Sequence, residues 1–198
     1  MRQAKTEGSL KTYAVVTDSA SDVPAEYAQN FSIYVVPLYI HYNGQEFKDG
    51  IDIKSEQIYS LQKEKRAIFM SSSPSPKDFI DVYRILLEKY EKIISIHISS
   101  KLSAVIKSAR IAADLLKASD RITIFDSLSG TMGTGFMAIA AARAAQKGYD
   151  FDRMLEVLEF LRENMRLYGT IDTLRYLRRS GRVPAIARIA TGLFRIKP

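Results

Sequence analysis

Four apolar runs in this chain end in hydroxyl-rich turns, and this rhythm limits the fold more than any single motif. Tyr13-Ala14-Val15-Val16-Thr17 stops at Asp18-Ser19-Ala20-Ser21-Asp22, after which Val23-Pro24-Ala25-Glu26 opens a short helix. Ala67-Ile68-Phe69-Met70 runs into Ser71-Ser72-Ser73-Pro74-Ser75-Pro76. Lys92-Ile93-Ile94-Ser95-Ile96-His97-Ile98 ends in Ser99-Ser100-Lys101-Leu102-Ser103, and Arg121-Ile122-Thr123-Ile124-Phe125 ends in Asp126-Ser127-Leu128-Ser129. Strands alternating with helices predict an α/β fold, a mostly parallel sheet with helices on both faces. In such a sheet the C-terminal strand ends share one rim, and ligands bind at that rim. Four hydroxyl-rich turns there make a neutral, hydrogen-bonding mouth, although helix capping also accounts for each turn taken singly.

The turn from Ser71 to Pro76 is the richest of the four. Ser75 suits an N-cap, Pro76 the first helical position, and Asp78 the positive end of the helix dipole. Phe79, Val82, Tyr83, Leu86 and Tyr90 then fall on one helical face. Three hydroxyls beside free backbone N–H groups form a cradle for a small anion, particularly a carboxylate. Elsewhere, Ile33 to Ile40 reads as one strand in which Pro37 marks an edge or a bulge. Asn43-Gly44 is a hairpin turn, and Ser55 to Lys63 is a short helix. The small residues from Gly133 to Ala145 predict a closely packed helix, and Asp150 or Asp152 caps the next one. After Leu167 the character changes. Tyr168 to Asp172 reads as a strand, Thr173 to Ser180 as a basic helix, and Ala185 to Phe194 as an apolar helix. The expected division is therefore an α/β binding domain at 11–166 and the start of an incomplete second domain at 167–198.

Composition closes several routes. The chain has no cysteine, which excludes disulfides and thiolate chemistry, and its two histidines exclude the usual zinc sites. Met1 to Leu10 is polar and unlike a signal peptide, and no apolar run reaches membrane-spanning length, so a cytoplasmic protein is expected. The net charge of +7 owes much to Arg175, Arg178, Arg179, Arg182, Arg188, Arg195 and Lys197. A basic stretch serves nucleic acid, a membrane surface, an acidic partner or merely solvent, and no nucleic-acid motif accompanies it. There is no Walker A loop, dinucleotide fingerprint or H-E-x-x-H, and the spaced glycines Gly130, Gly133 and Gly135 fit none of these. His97, flanked by isoleucines, reads as a core histidine, and His41 as a surface one. Asp18 and Asp126 read equally as caps, as a carboxylate pair or as metal ligands.

Taken in order, the motifs resemble the DegV family. Val16-Thr17-Asp18-Ser19-Ala20-Ser21-Asp22 is similar to its opening, followed by Val36-Pro37-Leu38 and Phe47-Lys48-Asp49-Gly50. Ser71 to Pro76 resembles its T-S-Q-P-S-P loop, and Ser99 to Ser103 its S-S-x-L-S-G-T segment. Asp126-Ser127 with Met132 to Gly135 resembles its D-S…M-G-x-G segment, and Asp172 to Val183 its T-L-x-Y-L-x-x-G-G-R-I run. The resemblance implies a protein that binds a long-chain fatty acid such as palmitate as its ligand, without a further cofactor or metal. The acyl chain would lie in an apolar tunnel, and the carboxylate would be held by Ser71 and Ser103, with Ser72 beside them and Arg182 near the head group. It also implies a protein that is not itself an enzyme and that presents its fatty acid to a separate fatty acid kinase subunit. Ser71 stands for the family's threonine, Ser73 for its glutamine, Ala104-Val105 for Gly-Thr, and Ser180 for a glycine. The family continues well beyond Pro198, so a C-terminally truncated form is expected, with a homo-oligomer covering the apolar patch from Ala185 to Ile196. Two other readings stay open at this point: a phosphoryl-transfer enzyme with His97 or an aspartate as acceptor, and a nucleic-acid or regulatory protein using the basic stretch.

Overall fold

A computed structural model describes residues 10–170 and 175–182 of the chain. Four strands, β1 (Lys11–Asp18), β2 (Ile33–Val36), β6 (Tyr90–His97) and β7 (Ile122–Asp126), form a parallel sheet in the order β2-β1-β6-β7. Three more, β3 (Tyr39–Tyr42), β4 (Gln45–Lys48) and β5 (Met70–Ser72), form a separate antiparallel sheet in the order β4-β3-β5. The helices are α1 (Ala25–Phe31), α2 (Ser55–Lys65), α3 (Pro76–Leu87), α4 (Val105–Leu115), α5 (Met132–Gln146), α6 (Phe151–Asn164) and α7 (Arg175–Ser180).

The central strands are apolar on both faces because both are covered. Ala14 and Val16 of β1 meet Phe79 and Tyr83 of α3 and Val105 and Ala109 of α4. Tyr13 and Val15, facing the other way, meet Met137 and Ala138 of α5 and Met154 and Leu158 of α6. Phe79, Tyr83 and Leu86 are fully buried, and a buried side chain of this size stabilises by about 1.5–3 kcal/mol. The caps form as the residue types dictate. Ser75 accepts from the Asp78 N–H while the Asp78 carboxylate accepts from Ser75, and Pro76 opens α3. Asp150 caps α6 through the Arg153 N–H, and α5 packs so closely that a Cβ at Gly135 would lie 2.4 Å from the Ser21 carbonyl oxygen.

The fold departs from the sequence expectation at two linked places. Ile33 to Ile40 is two strands, cut at Pro37. Proline has no N–H to offer a ladder, and the next N–H, that of Leu38, leaves the sheet to bond Ser19 Oγ at 3.0 Å. β2 ends as the edge of the parallel sheet, and β3 enters the second sheet. The hairpin that follows turns on Asn43 and Gly44, both at positive φ (50° and 75°), as a primed turn requires. The second departure is β5. It comprises Met70–Ser72 and pairs antiparallel to β3, with Ile40 opposite Ser71, so the Ser71 turn does not end a parallel strand. The expected strand at Tyr168–Asp172 is irregular as far as Thr170. Residues 171–174, the apolar helix expected at 185–194 and the patch on which the homo-oligomer expectation rests lie outside the described residues. No helix among the described residues is long and apolar enough to cross a membrane.

Candidate ligand site at the strand-end rim

The strand order reverses beside β1. The chain leaves β1 for β2 on one side and returns to β6 on the other, which is where open α/β sheets form their binding crevice. Register places the rim residues side by side: Asp18 beside Val36, Thr17 beside Ile96, and His97 beside Asp126. Asp18 is the centre of this rim. Its carboxylate is fully buried and accepts from the Ala20 N–H at 3.1 Å, the Ile98 N–H at 3.1 Å and His97 Nδ1 at 2.8 Å. His97 is equally buried, and its Nε2 pairs with Ser95 Oγ at 2.7 Å. With both ring nitrogens engaged and no solvent access, His97 is the core histidine that its isoleucine neighbours indicate.

Two hydroxyls meet beyond the end of β6. Ser99 turns the chain after β6, its carbonyl accepting from the Leu102 N–H at 2.9 Å and the Ser103 N–H at 3.1 Å. Ser103 thereby comes to rest with its Oγ 3.0 Å from Ser73 Oγ. This bond joins the antiparallel-sheet loop to the parallel-sheet rim. Directly after Ser103, α4 begins at Val105 with Ala104 as an N-cap that offers no side-chain acceptor. Among the described residues, no backbone or side-chain acceptor outside the helix takes the N–H groups of Ala104, Val105, Ile106 and Lys107. Unpaired N–H groups at a helix start carry partial positive charge and favour an anion.

Ser71 is exposed on β5 and faces across the ladder to Ile40. By strand alternation it shares the face of Ile40, Tyr42 and Phe47, and Tyr42 stacks on Phe69 with ring centroids 4.6 Å apart. Ser72 points to the other face, where its Oγ pairs with His41 Nε2 at 2.8 Å. Nearby, Tyr39 donates to Asp78 Oδ1 at 2.8 Å. Burial works against the Asp78 carboxylate, but hydrogen bonds from Ser75 and Tyr39 outweigh it and hold its pKa below the ordinary value. The same bond, with some burial, pushes Tyr39 up to about 12. Arg182 lies just past α7, its guanidinium donating to the Ser180 carbonyl at 2.6 Å and its N–H to Ser180 Oγ at 3.3 Å; among the described residues its hydrogen bonds do not reach the rim.

The remaining rim turns are engaged with one another. Ser100 Oγ donates to Asp126 Oδ2 at 2.6 Å, and the Leu128 N–H to Asp126 Oδ1 at 3.0 Å. Ser127 is buried against Thr134, their hydroxyl oxygens 2.9 Å apart. Thr131 takes φ 47° and Leu128 φ 51°; for a β-branched residue such as Thr131 this is a strained conformation. Asp18 and Asp126 both brace the segment after β6, Asp18 through the Ile98 N–H and Asp126 through Ser100, and among the described residues no cluster of side chains could hold a metal ion. Apolar groups border the hydroxyls: Ile98 and Leu102 are half-buried, and the Leu102 Cδ1 lies 3.4 Å from where a Cβ on Gly130 would stand.

Two members of this arrangement escape a sequence reading. Ser73 stands where the resembled loop has glutamine, so that motif does not mark it as a hydroxyl partner of Ser103. Strand alternation holds the available signal, because Ser71 and Ser73 share a side in an extended segment while Ser72 opposes them. His41, read as a surface residue, becomes the partner of Ser72 through the pairing of β3 with β5.

Comparison with known proteins places this geometry in a family. The model of the DegV family, described as uncharacterised proteins, matches residues 12–198. A DegV domain-containing protein of Caldanaerobacter subterraneus subsp. tengcongensis is 34% identical over 189 residues, 96% of this chain and 67% of that protein. A DegV family protein from Thermus thermophilus, described by its fatty acid binding, has a structure that superposes with a TM-score of 0.81 at 34% identity, covering 92% of this chain and 65% of that one. DegV of Bacillus subtilis, a fatty acid binding protein, gives a TM-score of 0.82 at 28% identity, covering 95% of this chain and 67% of that one. The chain thus spans about two thirds of the length of the curated relatives it matches, between 65% and 67% for those just cited and the next. Matched by the family model over almost its whole length, the chain belongs to the DegV family.

Proposed function

We propose that this chain binds a long-chain fatty acid such as palmitate, with the carboxylate at the Ser73–Ser103 pair and the start of α4. One observation carries this reading: two hydroxyls 3.0 Å apart stand beside a helix N-terminus without a capping side chain. Ser103 and Ser73 supply hydroxyls to the carboxylate, Ser71 adds a third from β5, and Ser72 holds the β5 strand against His41. Arg182 is the cation assigned to the head group or to a docking partner. The apolar borders, Ile98 and Leu102 on one side and Ile40, Tyr42 and Phe47 on the other, fit the start of an acyl chain. Burying each methylene is worth about 0.8 kcal/mol, so a sixteen-carbon chain offers on the order of 12 kcal/mol before ordering costs. The polar groups then need only keep the carboxylate satisfied, since an unpaired buried charge is expensive.

In this reading residues 11–166 carry the head-group site and residues 167–198 begin a second domain that continues the tunnel. The protein is a carrier that presents its acid to a separate kinase subunit, and it acts in the cytoplasm. Phosphoryl transfer through His97 is disfavoured, because the ring is fully buried and both nitrogens are hydrogen-bonded.

The test begins with mass spectrometry of an organic extract of the purified chain, where a long-chain acid is expected. Titration of delipidated protein with palmitate follows, comparing wild type with Ser103→Ala. A hydrogen bond to a charged group is worth about 1.5–3 kcal/mol, so a loss of affinity of roughly tenfold or more is expected. A chain that neither carries nor takes up a fatty acid would overturn the reading.

A further inference from the structure

We infer that Tyr83, Ser95, His97 and Asp18 form a buried positioning relay that sets the Ser73 loop and the Ser103 loop in register, making Tyr83 a positioning residue for carboxylate binding. The inference rests on the fatty-acid reading above and extends it to a helix residue well inside the core. Four polar side chains run in line through the centre of the sheet. Tyr83 OH lies 2.7 Å from Ser95 Oγ, Ser95 Oγ 2.7 Å from His97 Nε2, and His97 Nδ1 2.8 Å from Asp18 Oδ2. All four residues are inaccessible to solvent.

The hydrogens have one fully satisfied arrangement. The Asp18 carboxylate accepts only, so His97 carries its hydrogen on Nδ1. Nε2 then accepts from Ser95, and Ser95 accepts from Tyr83. If both ring nitrogens carried hydrogen, Ser95 would accept from His97, and either its own hydrogen or that of Tyr83 would then lack an acceptor within the relay. Burial pushes the Tyr83 phenol upward, with the Ser95 bond acting in the opposite sense, so the hydroxyl stays a donor. Buried polar networks of this kind are costly when broken and select one arrangement when complete.

The two ends of the relay reach the two halves of the site. At one end is α3, which begins at Pro76, three residues after Ser73. It is fixed to the relay twice, by the Tyr83 hydroxyl and by Phe79, whose ring meets that of His97 edge-on at 5.2 Å. At the other end Asp18 takes the Ile98 N–H, which fixes the chain entering the Ser99–Ser103 turn. The Ser73–Ser103 bond therefore joins two loops that are each anchored to the same buried line. Removing the Tyr83 hydroxyl takes away one of the two ties of α3 to the relay and loosens the spacing of the two hydroxyls, while the ring keeps the core filled.

The experiment compares wild type, Tyr83→Phe, Ser95→Ala and a control at the exposed Ile85→Ala. Dissociation constants are measured for palmitate and for hexadecan-1-ol, which shares the tail and lacks the carboxylate. Backbone amide resonances are recorded without ligand. For Tyr83→Phe and Ser95→Ala the palmitate constant is expected to rise about threefold to tenfold, the range of one net hydrogen bond. The alcohol constant should stay within about twofold, as should both constants in the control. Amides of Ser73 and of Ser103 to Lys107 should shift in the ligand-free variants. Acid and alcohol weakening together by one factor would overturn the relay in favour of a general packing effect, as would unmoved amides at those positions. If wild type binds no lipid at all, the fatty-acid reading fails; the ligand-free amide shifts then decide the relay alone, their presence supporting it and their absence overturning it.

Discussion

Replacing Asp18 should separate its role as a local cap from its role as the centre of the rim. A cap alone serves one donor, the Ala20 N–H on Oδ1, and its loss costs about 1 kcal/mol. The structure gives Oδ2 two further donors, the Ile98 N–H and His97 Nδ1, in a site closed to solvent. In Asp18→Ala all three donors lose their acceptor, and each buried donor left unsatisfied costs about 1–3 kcal/mol, so a loss of several kcal/mol is expected. Asp18→Asn is the finer probe. With its amide oxygen at the Oδ2 position it still serves His97 and Ile98, but its NH2 group then faces the Ala20 N–H. Turned the other way it serves Ala20 and confronts two donors. The first arrangement wins, and the cost is that of one misplaced buried donor, about 1–3 kcal/mol. Urea unfolding followed by circular dichroism measures both, with the denaturant slope expected to match wild type. An Asp18→Ala variant within about 1 kcal/mol of wild type, or one no worse than Asp18→Asn, would refute the claim that the carboxylate ties three segments together.

Two further expectations follow from named contacts. Gly135→Ala gains helix propensity of about 1 kcal/mol, but its Cβ would sit 2.4 Å from the Ser21 carbonyl oxygen, a backbone atom that cannot swing aside. Overpacking of this kind costs about 1–3 kcal/mol, so a net loss in the urea midpoint is expected, and a stabilised variant would contradict the close approach of α5 to the β1 turn. Asp78 has its pKa depressed in the fold, so its contribution is complete above the ordinary carboxylate range and is lost as pH falls through its lowered value. Asp78→Asn should therefore flatten the acid limb of the stability curve and leave the alkaline limb alone until about pH 10, the ordinary tyrosine value, above which the Tyr39 bond, with its phenol pushed up to about 12 in the fold, begins to lose its contribution; an unchanged acid limb would count against the Ser75 and Tyr39 bonds.

The parallel sheet is legible in the chain because each of its central strands is an apolar run closed by a cap, as in Tyr13 to Asp18 and Lys92 to Ser103. The caps themselves are local and read directly: Ser75 with Pro76 and Asp78, Asp150, and the Asn43-Gly44 turn. The assignment of Ser71 to the parallel rim is not legible, because β5 is only three residues long and takes its partner from β3, some thirty residues earlier in the chain. Nothing local distinguishes a short antiparallel strand from the tail of a parallel one. Pro37 carries the one available clue, since a strand that must stop there releases the following residues to another sheet. The buried line from Tyr83 to Asp18 is hidden for a related reason. Tyr83 reads as one more aromatic on an apolar helix face, and Ser95 as an interruption in an apolar strand. Only the docking of α3 on β6 makes them partners.

That docking also bears on how the site would receive a ligand. In the free protein one of the Ser73 and Ser103 hydroxyls donates to the other, so one of the two hydrogens is spent within the pair, and among the described residues no acceptor takes the second. A carboxylate accepts from both at once, and bonds to an ionised acceptor are shorter and roughly twice as strong as those between neutral groups. Binding therefore exchanges one neutral bond for two charge-assisted ones, with the N–H groups at the start of α4 facing the same charge. The exchange is favourable only if the hydroxyls keep their spacing, because two loops free to separate would each lose entropy on closing around the head group. A neutral head group gains far less from the exchange, so under the proposed reading the site would discriminate by charge more than by shape. The loops, being tied to Asp18 and to α3 before any ligand arrives, have most of that ordering cost met by the fold itself.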